Sequence, residues 1–119
     1  MPSLGMHGPY DLTAGNIDRF VRAYVPGVFA LGYTRENGGF VVRYIGRADT
    51  DVGRELKAQP ADETARFKWV EVSSQKAGFD TQCRLYHDFG GGDALENEDH
   101  PAPPAGTKWS CVVCGVSFR

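Results

Sequence analysis

The stretch GVFALGYTRENGGFVVRYIGRAD, residues 27–49, decides the fold. Val28 to Tyr33 and Phe40 to Tyr44 are rich in β-branched and aromatic residues, as strands are. Between them stands Glu36-Asn37-Gly38-Gly39, a turn signal because Asn and Gly tolerate left-handed backbone. The pattern predicts a β-hairpin.

Upstream, residues 1–12 carry Gly and Pro without periodicity and read as an irregular arm. Ile17, Phe20, Val21 and Tyr24 then recur at helical spacing and make one apolar stripe. Thr13 is a suitable N-cap and Pro26 a stop, so a helix over 13–25 is expected to cover the sheet. Downstream, residues 50–58 suggest a short helix ending before Pro60. Phe67 to Val72 alternates as a third strand. Ser73 or Ser74 can cap a long helix running to about Asp88, which Gly90-Gly91-Gly92 ends. Residues 93–110 form a Pro-rich loop, and Cys111 to Arg119 a knuckle with a short strand. The expected order is α-β-β-α-β-α. It describes one α/β (α+β) domain over 1–119, with a small antiparallel three-stranded sheet flanked by helices.

A length of 119 residues suits one domain with one modest core. No apolar run approaches the roughly 18 residues of a membrane span. The N-terminal residues lack the basic and apolar regions of a signal peptide, so a cytoplasmic protein is expected. A net charge of −2 argues against tight non-specific nucleic-acid binding. The charges are uneven, however. Arg19, Arg22, Arg35, Arg43, Arg47, Arg54, Lys57, Arg66 and Lys68 lie in the first half, and acidic residues dominate Asp88 to Asp99. A local basic face remains open.

The cysteines are Cys83, Cys111 and Cys114, an odd count that argues against a disulfide framework. Cys83 and His87 are four apart on the expected long helix and share a face. Cys111 and Cys114 form a C-x-x-C pair. Three thiolates plus one imidazole, from either His87 or His100, make a structural Zn2+ set. His100 lies nearer along the chain to the cysteine pair. Otherwise the three are free thiols, with Cys83 buried as a small apolar residue. His7 reads as a surface residue.

Gly27-Val28-Phe29, then Tyr44-Ile45-Gly46-Arg47-Ala48-Asp49 with Val52 and Arg54, resemble the GIY-YIG nuclease family. So do Leu85-Tyr86-His87-Asp88-Phe89, Leu95-Glu96-Asn97 and His100-Pro101, which are similar to the end of a small prokaryotic branch that finishes in C-x-x-C. The resemblance covers roughly residues 26–100. It implies a metal-dependent endonuclease hydrolysing DNA phosphodiesters. Tyr44 would activate water, Arg54 would clamp phosphate, Arg47 would be an auxiliary cation and Asn97 a positioning residue. Arg43 and Lys57 would belong to a nucleic-acid-binding face. A free tyrosine has a pKa near ~10, so Tyr44 would need nearby cations to act as a base.

Two positions depart from the family. Phe29 stands where the first motif ends in tyrosine. Gln82 stands where a glutamate binds Mg2+ or Mn2+, and a neutral amide is a poor ligand for a hard cation. Gln82 is therefore an engineered or a natural loss of activity, or Glu96, Asp93 or Asp88 supplies the carboxylate. The alternative function is a catalytically dead module, with a structural zinc, that binds nucleic acid or protein.

Overall fold

The computed structural model describes residues 5–97 and 99–116. It is a mixed α+β fold with three helices and one four-stranded antiparallel sheet. The elements are β1 (His7–Asp11), α1 (Ala14–Phe20), β2 (Gly27–Thr34), β3 (Phe40–Ala48), α2 (Val52–Lys57), β4 (Arg66–Glu71) and α3 (Gln75–Asp88), followed by a 3-10 turn at Gly91–Asp93. The strand order is β1-β4-β2-β3, so β1 and β3 are the edges.

The hairpin forms where its residues predict it. β2 and β3 pair from Gly27 opposite Ala48 to Thr34 opposite Phe40, with a register shift at Leu31/Gly32. Phe29 lies opposite Gly46, and a Cβ added at 46 would come within 2.2 Å of the Phe29 ring. The glycine therefore serves core packing. The ring fills the space that any larger residue would need.

Successive residues of β2 point to opposite faces and divide the core in two. Phe29, Phe67 and Trp69 pack with Ile17 and Val21 and with Val52 and Leu56 of α2. On the other face Val28, Ala30 and Ile45 pack with Leu85 and Tyr86 of α3 and with Leu95. Phe79, Cys83 and Cys111 form a third apolar cluster that joins α3 to the tail. Ser74, not Ser73, caps α3, its Oγ accepting from the Ala77 amide at 3.0 Å.

Three expectations need correction. The sheet has four strands, because residues 7–11, read as an irregular arm, form β1 along the open edge of β4. His-Gly-Pro-Tyr-Asp has no strand periodicity of its own. The Tyr10–Phe67 pairing and the Arg66–Asp11 ion pair at 2.8 Å hold it there. Second, α1 stops at Phe20. Val21 is already extended, and Tyr24 has φ 60° and is 85 % exposed, so it leaves the expected stripe. Val25 precedes a proline and is disfavoured in helix, which forces the chain out early. Phe20 stacks on Tyr10 at 4.2 Å instead of entering the core. Third, the tail makes a turn around residues 112–114 without a strand among the described residues, and residues 117–119 of that expectation lie outside them.

Candidate functional site

As an edge strand, β3 presents backbone groups that no other strand satisfies, and an unpaired buried amide or carbonyl is costly. Two side chains from distant parts of the chain meet this need at Ile45. Asn97 Oδ1 accepts from the Ile45 amide at 3.0 Å, and Asn97 Nδ2 donates to the Ile45 carbonyl at 2.8 Å. Gln82 Nε2, from α3, donates to the same carbonyl at 3.3 Å. One residue earlier, the Glu96 amide donates to the Arg43 carbonyl at 2.6 Å. Residues 96 and 97 thus stand in for a fifth strand.

The other end of the Gln82 amide is also in use. Its Oε1 accepts from Arg47 Nη1 at 2.9 Å, while Arg47 Nε donates to Asp49 Oδ1 at 2.8 Å. The Arg47 guanidinium lies 5.4 Å from the centre of the Phe79 ring. Arg47 is thus held in place by three neighbours.

Tyr44, Gln82 and Asn97 line one cavity of about 420 Å3 together with Glu96, Asp99, His100 and Pro101. Tyr44 and Glu96 also line a second cavity of about 490 Å3, walled by Leu12, Leu31, Arg43 and residues 59–62 and 64–65. No sequence signal marked the 59–65 loop as a cavity wall. Arg54 lines neither cavity; it is exposed on α2. Burial pushes the Tyr44 phenol above its ordinary value, and the neighbouring Glu55 carboxylate adds to the rise. At neutral pH the residue is a neutral phenol, the reverse of what a tyrosine base needs. The expected basic face is largely paired. Arg43 bonds Glu96, Arg47 bonds Asp49 and Lys57 bonds Asp18.

A second constellation lies beside the first. One ligand atom each of His87, His100, Cys111 and Cys114 falls within 4.8 Å of the others. His87 Nε2 and His100 Nε2 are 3.1 Å apart, and His100 Nε2 and Cys114 Sγ 3.5 Å. Tetrahedral zinc with bonds of about 2.0 Å to nitrogen and about 2.3 Å to sulfur would separate such pairs by about 3.3 and 3.5 Å. The group could hold a metal ion, and its donor set and spacing suit structural zinc. His100 Nδ1 lies 2.8 Å from the Pro101 carbonyl, a contact that orients the ring with Nε2 toward His87 and Cys114. Burial is the largest influence on Cys111 and pushes it up. Hydrogen bonds from the Cys114 and Val113 amides and from the Cys83 and Cys114 side chains outweigh it and bring the thiol down to about 6.

The choice between His87 and His100 was therefore a false one, since both enter the cluster. Cys83 does not. It is fully buried against Phe79, and burial, followed by its hydrogen bond to Cys111, pushes its thiol up to about 12. It lies behind Cys111 as a neutral thiol. The cluster has two cysteines and two histidines in place of three and one. No comparable carboxylate set surrounds position 82 among the described residues, so Mg2+ or Mn2+ finds no support there. No described helix is long and apolar enough to cross a membrane. Comparisons with protein-family models, with curated proteins and with solved structures find no match.

Proposed function

We propose that this chain is a zinc-stapled module on a GIY-YIG-like frame that binds nucleic acid without hydrolysing it. The observation that carries the reading is the Gln82 amide, buried and engaged at both ends, where hydrolysis would need an anionic metal ligand. The neutral Tyr44 phenol and the position of Arg54 outside the Tyr44 cavity point the same way. Zn2+ would be held by His87, His100, Cys111 and Cys114, and would supply a closed structural link with no open ligand position. The exposed Arg54 guanidinium, which makes no ion pair among the described residues, is a cation available to meet a phosphate.

The test is incubation with single-stranded, duplex and branched DNA in Mg2+ and in Mn2+, with binding followed across a salt series. The expected result is no product, and a salt-dependent affinity that falls on Arg54→Ala. Cleavage by the parent chain would overturn the reading. Absence of affinity for any nucleic acid would move it to a protein-binding module. One observation favours hydrolysis as a second reading: the Glu96 and Asp99 carboxylates line the cavity that holds Tyr44. Loss of product in Glu96→Gln and Asp99→Asn variants of a cleaving chain would establish it.

A further inference from the structure

The long helix α3 and the segment from Leu95 to Pro101 meet at two junctions. At the first, Gln82 of α3 and Asn97 of the segment donate to one acceptor, the Ile45 carbonyl. At the second, His87 of α3 and His100 of the segment bring their Nε2 atoms to 3.1 Å. Asn97 and His100 are three residues apart, a tether that reaches at most roughly 10 Å. Between the 3-10 turn at Gly91–Asp93 and the turn after Cys111, the described chain has no helix or strand to hold it. Both junctions border the same cavity, because Gln82, Asn97 and His100 all line it together with Tyr44.

We propose that these junctions form one coupled device: metal ligation through His87 and His100 holds Glu96 and Asn97 against the edge of β3, and thereby builds the wall of the Tyr44 cavity. The inference rests on the zinc reading above. The metal would act by ordering the stretch that carries Asn97, through His100, which lines the same cavity. Without the metal, this stretch keeps Leu95 in the core, the Glu96 and Asn97 bonds and the Tyr86–His100 ring contact, and a short stretch outside helix and strand that loses one tie opens more easily. Coupling of this kind is reciprocal. Whatever factor the metal contributes to closing the latch, the closed latch contributes to metal affinity.

The test is amide hydrogen exchange on the full chain, zinc-loaded and after chelation with the thiols kept reduced. The Ile45 and Glu96 amides, which donate to Asn97 Oδ1 and to the Arg43 carbonyl, are expected to exchange at least about tenfold faster without metal. The Val52 amide, bonded to the Val25 carbonyl on the opposite face, is expected to stay constant. In the reverse direction, Asn97→Ala keeps all four ligands and is expected to bind zinc about tenfold more weakly in competition with a chromophoric chelator. Equal exchange at Ile45 and Glu96 in a chain that does bind zinc overturns the coupling and leaves the zinc reading standing. No zinc uptake at all overturns both. Should chelation also accelerate Val52, the Asn97→Ala affinity decides: weaker binding supports the coupling, and unchanged binding overturns it.

Discussion

Gln82 and His87 sit five residues apart on one helix and solve opposite problems. Gln82 faces a strand edge and uses a neutral amide, donating to a carbonyl with one end and accepting from Arg47 with the other. His87 faces three other possible metal ligands, His100, Cys111 and Cys114, with one ligand atom of each within 4.8 Å of the others. At the first place every atom has a protein partner. At the second, the protein brings together groups that satisfy one another best through a cation. The difference teaches that a single residue type marks a metal site less reliably than several ligand atoms brought close together. The position that family resemblance marks for a metal is spent on the Ile45 carbonyl and the Arg47 guanidinium, and the cluster that looked like a loop staple is the one that gathers metal-ligand atoms.

Removing the metal is the largest perturbation of this contrast. A ligand present at a thousand times its Kd stabilises the native state by about 4 kcal/mol. Thermal unfolding of the zinc-loaded chain is therefore expected well above that of the chelated chain or of Cys111→Ser/Cys114→Ser. Equal melting temperatures would mean that the cluster does not bind zinc. Next is Asn97→Ala, which leaves the buried Ile45 amide without its acceptor and removes one donor from its carbonyl. An unsatisfied buried group and a lost bond together cost about 2–3 kcal/mol, read by denaturant unfolding of the zinc-loaded variant.

Gln82→Glu follows, at about 1–2 kcal/mol. The substitution loses the donor to Ile45 and brings a carboxylate oxygen against a carbonyl, while the pairing with Arg47 offsets part of the cost. The same variant sharpens the comparison chemically. Mg2+-dependent DNA cleavage by Gln82→Glu would show that the frame remains competent once the charge is returned. Inactivity would show that Tyr44 and Arg54 are set too far from a common phosphate.

The smallest effect concerns Tyr44, whose phenol is raised by burial and then by Glu55. A raised folded-state value means that the protonated form stabilises the fold. That contribution is complete below the ordinary tyrosine value near ~10 and is lost as pH rises through the folded value. Unfolding curves between neutral and strongly alkaline pH are expected to fall more steeply for the parent than for Tyr44→Phe. Parallel curves would remove the argument that the phenol is held neutral.

The hairpin and α3 were legible in the sequence because their signals are local: Asn37-Gly38 for the turn, and a serine cap ahead of a long helix. The ligand types were legible too, since Cys111, Cys114 and a histidine carry their chemistry with them. β1 was not, because Gly8 and Pro9 break its periodicity and its pairing depends on β4, more than fifty residues away in chain order. The role of Asn97 and Gln82 was hidden for a related reason. It exists only because β3 is an edge, and strand order is not written in any single strand. Cys83 misled because four-residue spacing on a helix shows a shared face, not which side chain the core will take.

X-ray absorption at the zinc edge, on protein purified without chelator, tests the central contrast most directly. One zinc per chain is expected, with two sulfurs at about 2.3 Å and two nitrogens at about 2.0 Å. A shell of three sulfurs would put Cys83 on the metal, and a metal-free protein would leave the cluster without its role; either would contradict the assignment.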